Sequence, residues 1–334
     1  MTRSADHNGL DSYRPRASVI VPAYNSETTI GGCLRALQNQ TYPRQRYEII
    51  VVDDGSEDKT AEVALETGAK VISPGKLGRS GARNLGAQKA SGEIILFTDS
   101  DCEPISTWIE LMIAPLQDRE VAGVKGAYWS RQQELVARFT QVEVEERYRR
   151  MAQRDSINFV DTYAACYRRD IFLAHNGFDE SVFVDEDQEL SFRLSRRGYK
   201  MVFVPNARVF HLHTASVGHY FRRKFEIATW KPLLIKRYPE RMISDSRTPQ
   251  ALKIQMGLVL MIIFLAPAGL FSSTARRALA AAILSFLAAC LPFIRHAVEY
   301  DRDVTIITIP MLWLRAVALA IGYLNGMIRF RSQK

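Results

Sequence analysis

The chain has 334 residues and a formal net charge of +8. This length allows one large domain with an appendage or two modest domains, and the positive charge favours an anionic partner such as a nucleotide, a lipid phosphate or a nucleic acid. The four cysteines show no Cys-x-x-Cys spacing and are too sparse for a disulfide framework, which fits a reducing cytosolic compartment.

Strand and helix patterns alternate through the first hundred residues. Residues 1–16 are polar, lack the pattern of a secretory signal, and are expected to form a disordered tail. Apolar runs and helical spacing then predict strands at 17–23, 47–52, 70–73 and 93–98, and helices at 27–40, 59–67 and 80–89. This alternation predicts an α/β fold with a doubly wound, mostly parallel sheet, in a domain covering residues 17–218.

The second half of this domain is less regular. Residues 132–153 form a highly charged helical pattern, whose apolar stripe is expected to cover the core; binding of a partner is the alternative. Further strands are predicted at 159–168 and 200–204, and a further helix at 188–196.

Aromatic and basic residues are mixed between residues 219 and 252. This mixture predicts an amphipathic segment that lies on an anionic membrane surface. Binding of nucleic acid is the alternative, and the apolar stretches that follow favour lipid, so no nucleic-acid partner is expected.

Three apolar stretches follow, at residues 254–271, 278–294 and 305–328. A helix needs about 20 apolar residues to cross the hydrocarbon core, so residues 253–328 are predicted to form two or three membrane helices; the alternative is a buried hairpin of a soluble protein. Basic residues are concentrated before the first stretch, which predicts a multi-pass protein of the inner cell membrane with the preceding domain cytoplasmic. The third stretch contains Arg315 and precedes a basic tail at 329–334, so a tilted interfacial position is the alternative to a third span.

Two carboxylates, Asp99 and Asp101, follow the apolar run 93–98. In open α/β sheets, ligands bind beyond the carboxyl ends of the strands. Carboxylates this close repel each other unless a cation lies between them, and a hard cation such as Mg²⁺ shares its coordination shell with diphosphate oxygens. The pattern predicts a metal–diphosphate site, with a solvated turn as the alternative.

Several segments together resemble the inverting family 2 glycosyltransferases of GT-A fold, in the order and spacing of that family. The resemblance covers roughly Ser18 to His213. The segments are Ser18-Val-Ile-Val-Pro-Ala-Tyr-Asn25, Val51-Val-Asp-Asp-Gly-Ser56, Gly81-Ala-Arg-Asn84, Asp99-Ser-Asp101, and Gly177-Phe-Asp-Glu180 leading to Glu186-Asp187.

The resemblance implies a donor site. It places Asp54 against the base, Asp99 against the sugar or ribose, and a further set of residues along the nucleotide pocket: Pro22, Ala23, Tyr24, Asn25 and Glu27. Positive charge is available from Lys76, Arg79 and Arg83, of which Arg79 is favoured to face the base or the diphosphate. A structural contact is the alternative role for Arg83.

The resemblance also implies a metal ligand and a general base. Asp101 is the metal ligand, and the cofactor is Mg²⁺ or Mn²⁺. Glu186-Asp187 is the motif that supplies the base, with Asp187 as the base and Asp185 or Glu186 as alternatives. His211 and His213 share one face of a strand, so His211 is a candidate to complete the metal site; a hydrogen-bonded histidine is the alternative.

These expectations describe an enzyme that moves a sugar, with inversion, from a UDP- or GDP-sugar to a hydroxyl of a lipid-linked or glycan acceptor. The Gln-x-x-Arg-Trp motif of processive synthases is not found after His213, so we expect one sugar per encounter. The alternatives are a sugar nucleotidyltransferase, for which residues 23–26 lack the Gly-rich triphosphate loop, and a non-catalytic membrane scaffold of the same fold.

Overall fold

The computed structural model describes residues 13–242 and 245–331. Residues 1–12 of the expected tail and residues 332–334 of the basic tail lie outside the described residues. The chain forms two compact units, one from residues 13–129 and 152–212, the other from residues 130–151 and 213–331.

The first unit contains a single eight-stranded sheet. Its strands are β1 Ala17–Ala23, β2 Tyr47–Asp53, β3 Lys70–Ile72, β4 Ile94–Phe97, β5 Glu103–Pro104, β6 Val121–Trp129, β7 Ala165–Arg168 and β8 Lys200–Phe210. Their order in the sheet is β3-β2-β1-β4-β7-β6-β8-β5. Four of the seven pairings are parallel, and β7 runs antiparallel to both β4 and β6. The expected α/β fold with a mostly parallel sheet is confirmed, with antiparallel pairings in its second half.

Eleven α-helices accompany the strands in the described part of the chain. In chain order they are α1 Ile30–Gln38, α2 Thr60–Glu66, α3 Gly78–Lys89, α4 Trp108–Ile113, α5 Leu135–Met151, α6 Arg169–Ala174, α7 Glu186–Arg196, α8 Val217–Arg237, α9 Gln250–Gly269, α10 Ser273–Tyr300 and α11 Thr305–Arg329.

Three neighbouring parallel strands bring the predicted site segments to one edge of the sheet. β1 pairs with β2 so that Ala23 lies opposite Asp53, and it pairs with β4 so that Ile20 lies opposite Phe97. The interior residues of these strands are buried in an apolar core, which fixes the register because a slip by one residue would turn the apolar face to water. The segments that follow β1, β2 and β4 therefore emerge side by side.

The second unit is helical and consists of α5 and α8–α11. We expected the apolar stripe of residues 132–153 to cover the core. In the structure, Phe139 and Val142 of α5 belong to an apolar core cluster with Val259, Phe286 and Leu312 of the C-terminal helices. The amphipathic pattern had identified the helix but could not identify the surface against which it packs.

The C-terminal helices match the predicted apolar stretches. Three helical segments, Gln250–Gly269, Ser273–Tyr300 and Arg302–Arg329, are long and apolar enough to cross a membrane, by length and composition alone.

A buried ionic cluster joins four helices of the second unit. The Glu143 carboxylate of α5 accepts hydrogen bonds from Lys224 Nζ at 2.9 Å, Arg315 at 2.8 Å and Tyr220 Oη at 3.0 Å. Arg315 also donates to Gln255 Oε1 at 2.9 Å. Burial raises the pKa of Glu143, but the charges of Lys224 and Arg315 outweigh it and bring the pKa to about 2. Glu143 is therefore ionised.

This cluster predicts a loss of stability in acid. The pKa of Glu143 lies below its ordinary value of 4.5, so its stabilising contribution is complete above that pH and is lost as the pH falls through about 2. The contribution is on the order of 3 kcal/mol. We expect Glu143→Gln to lose less stability than the wild type when the detergent-solubilised protein is unfolded by heat at about pH 3 instead of about pH 6.

The matched control is Glu226→Gln. Glu226 pairs with Arg222 on the surface of α8, where an ion pair contributes little, so this variant should respond to acid as the wild type does. An unchanged acid response in Glu143→Gln would contradict the role of the cluster.

Candidate active site

The loop after β1 is held to the loop after β2. Asn25 has a left-handed backbone with φ of +48°, and its side-chain oxygen accepts the Glu57 N–H at 2.9 Å. Ser26 N–H donates to Thr60 Oγ1 at 2.7 Å, and the Ser26 and Ser100 hydroxyl oxygens are 2.9 Å apart. These bonds connect the ends of β1 and β2 to the Asp99–Asp101 turn.

The other residues predicted for the nucleotide pocket lie on the same edge. Pro22 and Ala23 end β1. The Glu27 carboxylate accepts the Lys59 N–H at 3.1 Å, and the exposed Tyr24 ring lies 5.0 Å from Lys76 Nζ. Glu27 therefore holds a loop in this structure, while Tyr24 and Lys76 present an aromatic face and a positive charge to solvent.

Asp54 organises the loop before α3. Its buried carboxylate accepts the Leu77 N–H at 2.5 Å and the Gly78 N–H at 3.0 and 3.1 Å. A carboxylate at the start of a helix is stabilised by the unpaired amides there. Arg79, which follows Gly78 in α3, is exposed to solvent. A base contact by Asp54 remains a prediction, since its observed partners are backbone amides.

Arg83 joins the Asp99 turn to the first residue of α7. Its guanidinium donates to Asp99 Oδ1 at 2.7 Å and to Glu186 Oε1 at 3.1 Å. The Arg83 side chain is 4% exposed and that of Glu186 is 9% exposed, whereas that of Asp99 is 32% exposed. One buried cation thus holds two carboxylates from distant parts of the chain, which agrees with the structural alternative considered for Arg83.

Asn84, the next residue of α3, fixes the segment that precedes α7. Its side chain accepts the Phe178 N–H at 2.9 Å and donates to the Phe178 carbonyl at 2.9 Å. Gly177 has a φ of +57°, and a Cβ at this position would collide with the Asn84 side-chain oxygen. The Gly81–Asn84 and Gly177–Glu180 motifs are therefore two halves of one contact.

The three consecutive acidic residues 185–187 at the start of α7 differ in their access to solvent. Asp185 and Glu186 are buried, whereas Asp187 is partly exposed. Burial raises the pKa of Glu186 against the opposing charge of Arg83. Asp187 accepts the Gln188 N–H at 2.7 Å. Among these three residues, Asp187 has the carboxylate that a substrate can reach.

A second group of ligand atoms lies where β5 pairs with β8. Glu103 lies opposite Phe210 in this antiparallel pair, which brings His211 Nδ1 to 3.5 Å from Asp101 Oδ2. Cys102 Sγ is 3.7 Å from His211 Nδ1. The donor atoms of these three residues all lie within 4.8 Å of one another.

The donor set fits a hard divalent cation. Burial raises the pKa of the Cys102 thiol well above its usual value. Burial also opposes ionisation of Asp101, but the hydrogen bond and charge of His211 outweigh it and lower the pKa of Asp101. The carboxylate oxygen suits Mg²⁺ or Mn²⁺ completed by phosphate oxygens, and the imidazole nitrogen is a common ligand of divalent transition metals.

Two features of the site were not anticipated. The Tyr128 ring packs edge-on against the His211 ring, with centroids 5.6 Å apart, and the Cys102 thiol adjoins the imidazole. Neither residue carries a sequence signal beyond its position beside a strand end. His213 belongs to the second unit, where its Nε2 lies 2.8 Å from Gln141 Oε1, so it has the hydrogen-bonded role considered as an alternative.

Comparisons with known proteins agree with this geometry. Residues 18–174 match the family model described as glycosyl transferase family 2. Glycosyltransferase AglE of Haloferax volcanii is 29% identical over 228 residues, which cover 65% of this chain and 73% of that protein. The O-antigen chain rhamnosyltransferase WbaN of Salmonella anatum is 27% identical over 225 residues, or 64% of this chain and 71% of that protein.

One solved structure supports the fold over nearly the whole chain. Mannosyltransferase PcManGT from Pyrobaculum calidifontis, in complex with GDP-Man and Mn²⁺, has a TM-score of 0.58 at 21% identity and covers 94% of this chain and 88% of its own.

The mixed sheet and its similarity to this structure define a GT-A-like fold. The family match makes the similarity specific: residues 18–174 resemble glycosyl transferase family 2, and the relatives that match a longer part of the chain are named glycosyltransferases.

Proposed function

We propose that the protein transfers one sugar, with inversion and metal assistance, from a UDP- or GDP-sugar to an acceptor hydroxyl. The observation that carries this proposal is the Arg83 guanidinium between Asp99 and Glu186. It ties the turn proposed for the donor to the segment proposed for the base, so both groups belong to one site. Inversion requires attack on the face opposite the leaving diphosphate, and a base held opposite the donor turn suits that geometry.

Asp187 is proposed as the general base. The acceptor hydroxyl oxygen forms a bond to the anomeric carbon while the bond from that carbon to the diphosphate breaks. The hydroxyl proton goes to Asp187, and the nucleoside diphosphate leaves with the bonding electron pair. The partial exposure of Asp187 supports this role, because the acceptor must enter from solvent.

Asp101 and His211 would hold the divalent cation, Mg²⁺ or Mn²⁺. When bound, it supplies Lewis-acid charge for the diphosphate. Support comes from the donor chemistry of these two residues and from the Mn²⁺ and GDP-Man bound by the mannosyltransferase with the similar fold.

The nucleotide pocket is proposed along the edge formed by the ends of β1 and β2. The pocket is lined by Pro22, Ala23, Tyr24 and Asn25. Glu27 and Asp54 fix the neighbouring loops by accepting hydrogen bonds from backbone amides. Arg79, which is exposed beside Lys76, supplies positive charge for the diphosphate.

The acceptor is proposed to be lipid-linked or a glycan, presented at the inner cell membrane with the catalytic domain, residues 17–218, on the cytoplasmic side. The name of the Salmonella relative, a rhamnosyltransferase for O-antigen chains, supports a glycan acceptor. The orientation rests on the basic residues around the apolar stretches. Only Arg276 and Arg277 lie between the first stretch, 254–271, and the second, 278–294, whereas six basic residues precede the first stretch: Lys231, Lys236, Arg237, Arg241, Arg247 and Lys253.

The test is a screen of UDP- and GDP-sugars with the full chain in detergent, in the presence of Mg²⁺, Mn²⁺ or chelator. We expect metal-dependent release of nucleoside diphosphate from one class of donor. Asp101→Asn and His211→Gln should weaken Mn²⁺ binding, measured by electron paramagnetic resonance, by more than about tenfold.

The control is His219→Gln, which changes an exposed histidine at the start of α8 and should leave Mn²⁺ binding as it is. Unchanged Mn²⁺ affinity in both Asp101→Asn and His211→Gln would remove the proposed metal site. Release of pyrophosphate from a nucleoside triphosphate would instead indicate a sugar nucleotidyltransferase.

A further inference from the structure

Helix α11 packs closely along α8 within the second unit. A Cβ at Gly322 or Gly326 would collide with the carbonyl oxygens of Phe225 and Thr229, respectively. The two glycines are four residues apart in α11, and their two partners are four residues apart in α8. The later glycine meets the later partner, so the two helices run parallel. Small residues at this spacing let helix backbones approach closely.

The contact continues to the C-terminal end of α11. The Trp230 and Phe330 rings lie 5.0 Å apart, and the Arg329 guanidinium lies 5.2 Å from the Trp230 ring. The C-terminal half of α11 therefore lies beside α8 from Gly322 to the end of α11.

Helix α8 cannot lie in hydrocarbon. It carries one acidic residue, Glu226, and six basic residues, Arg222, Arg223, Lys224, Lys231, Lys236 and Arg237. A charged side chain at the centre of a membrane helix costs about 2.5–3.5 kcal/mol even on the most permissive scales. Because the C-terminal half of α11 packs on α8, this half also lies outside the hydrocarbon core.

Arg315 places the middle of α11 at the same level. Its guanidinium reaches Glu143 on the charged helix α5 and Gln255 in the second turn of α9. The middle of α11 thus lies near the start of α9, whereas the middle of a third parallel span would lie near the middle of α9. Residues 305–314, which precede Arg315, extend about 15 Å as a helix, and the hydrocarbon core is about 30 Å thick.

Burial distinguishes α11 from the other two apolar helices. In the most apolar part of the segment that contains α11, 50% of the residues are buried, compared with 17% for α9 and 22% for α10. Its exposed apolar residues include Ile321, Leu324 and Ile328, whose spacing places them on one helix face. One apolar face beside a basic partner helix is typical of helices that lie in the membrane interface.

We propose that α9 and α10 are the membrane spans and that α11 is not a third. In this arrangement α8 and α11 form a two-helix surface that lies on the bilayer, on the side from which α9 enters. The apolar face of α11 enters the headgroup–acyl boundary, and the basic residues of α8 favour anionic lipid headgroups. Both ends of α11 lie on one side of the membrane.

Cysteine accessibility tests this topology. Single cysteines are placed at three exposed positions, Phe271 between α9 and α10, Arg302 between α10 and α11, and Arg331 after α11. A membrane-impermeant maleimide is applied to sealed vesicles of known orientation. We expect Arg302→Cys and Arg331→Cys to react from the same side, and Phe271→Cys to react only from the other side.

The chain without an introduced cysteine is the control, because all four native cysteines are buried. Labelling of Arg331→Cys from the side of Phe271→Cys would establish a third span and overturn the proposal. Labelling of all three positions from one side would overturn the two spans as well. None of these results depends on glycosyl transfer, so the proposed function can fail while the topology stands.

The α8–α11 contact has its own matched test. Gly326→Leu should separate the two helices and lower the melting temperature in detergent. Gly257→Leu, in α9, should not lower it, because a Cβ at Gly257 meets open space. Equal melting temperatures for the two variants would contradict the packing on which the proposal depends.

Discussion

Asp187→Asn is expected to slow sugar transfer by about 10²–10⁴-fold, the usual contribution of a general base. Asparagine has the shape of aspartate but cannot take up the proton of the acceptor hydroxyl at the pH of the reaction. Asp187 is also the partly exposed member of the acidic group at the start of α7, so the substitution leaves no buried charge unpaired. The rate is measured with saturating donor and acceptor, and donor affinity is measured separately by calorimetry in the presence of Mn²⁺.

The two measurements separate a base from a donor ligand. Donor affinity should be nearly that of the wild type, and Asp155→Asn, which changes an exposed aspartate of the first unit, should leave both quantities unchanged. Lost donor affinity with transfer retained at saturating donor would move Asp187 to the donor side of the site. The base would then be sought elsewhere.

Parallel strands explain why much of the donor edge could be predicted. An apolar run that ends in acidic residues identifies both a buried strand and its carboxyl end. Because β1, β2 and β4 are neighbours, Asp54 and Asp99 had to emerge on one edge. This inference needs only the order of the elements and no side-chain coordinates.

The association of His211 with Asp101 could not be predicted from the order of the elements. It depends on β5, a strand of only two residues, which pairs with the end of β8. Two residues carry no periodicity, so the pairing is invisible in the sequence, and the resemblance indicated His211 only as a candidate. The contact is fixed by the tertiary fold.

For the buried charge Arg315, too, the sequence identifies one part of the interaction and the fold identifies the other. Arg315 stands out in the sequence because it interrupts an apolar stretch, and such a residue is expected to have a partner. The partner, Glu143, is 172 residues away on a helix whose many charges make none of them conspicuous. The sequence therefore identifies the residue that needs a counter-ion, and only the fold identifies the counter-ion.

Arg83→Met is expected to lower the free energy of unfolding by about 3–5 kcal/mol, because it leaves Glu186 buried without its cation. Without Arg83, burial would hold the pKa of Glu186 further above its ordinary value of 4.5. The folded state then binds more protons than the unfolded state above that pH, so the loss of stability should grow as the pH rises. Denaturant unfolding at about pH 5 and about pH 8 measures this trend.

Combining Arg83→Met with Glu186→Gln separates folding from positioning. Glutamine removes the uncompensated charge, so the double variant should recover part of the lost stability and most of the pH dependence should disappear. Asp99 is 32% exposed and can be hydrated without its partner. Sugar transfer should nevertheless stay low, because no guanidinium then spans the distance between the donor turn and the segment that carries Asp187. If transfer returns together with stability, Arg83 acts through folding alone, and the two halves of the site do not need this cation to stay in register.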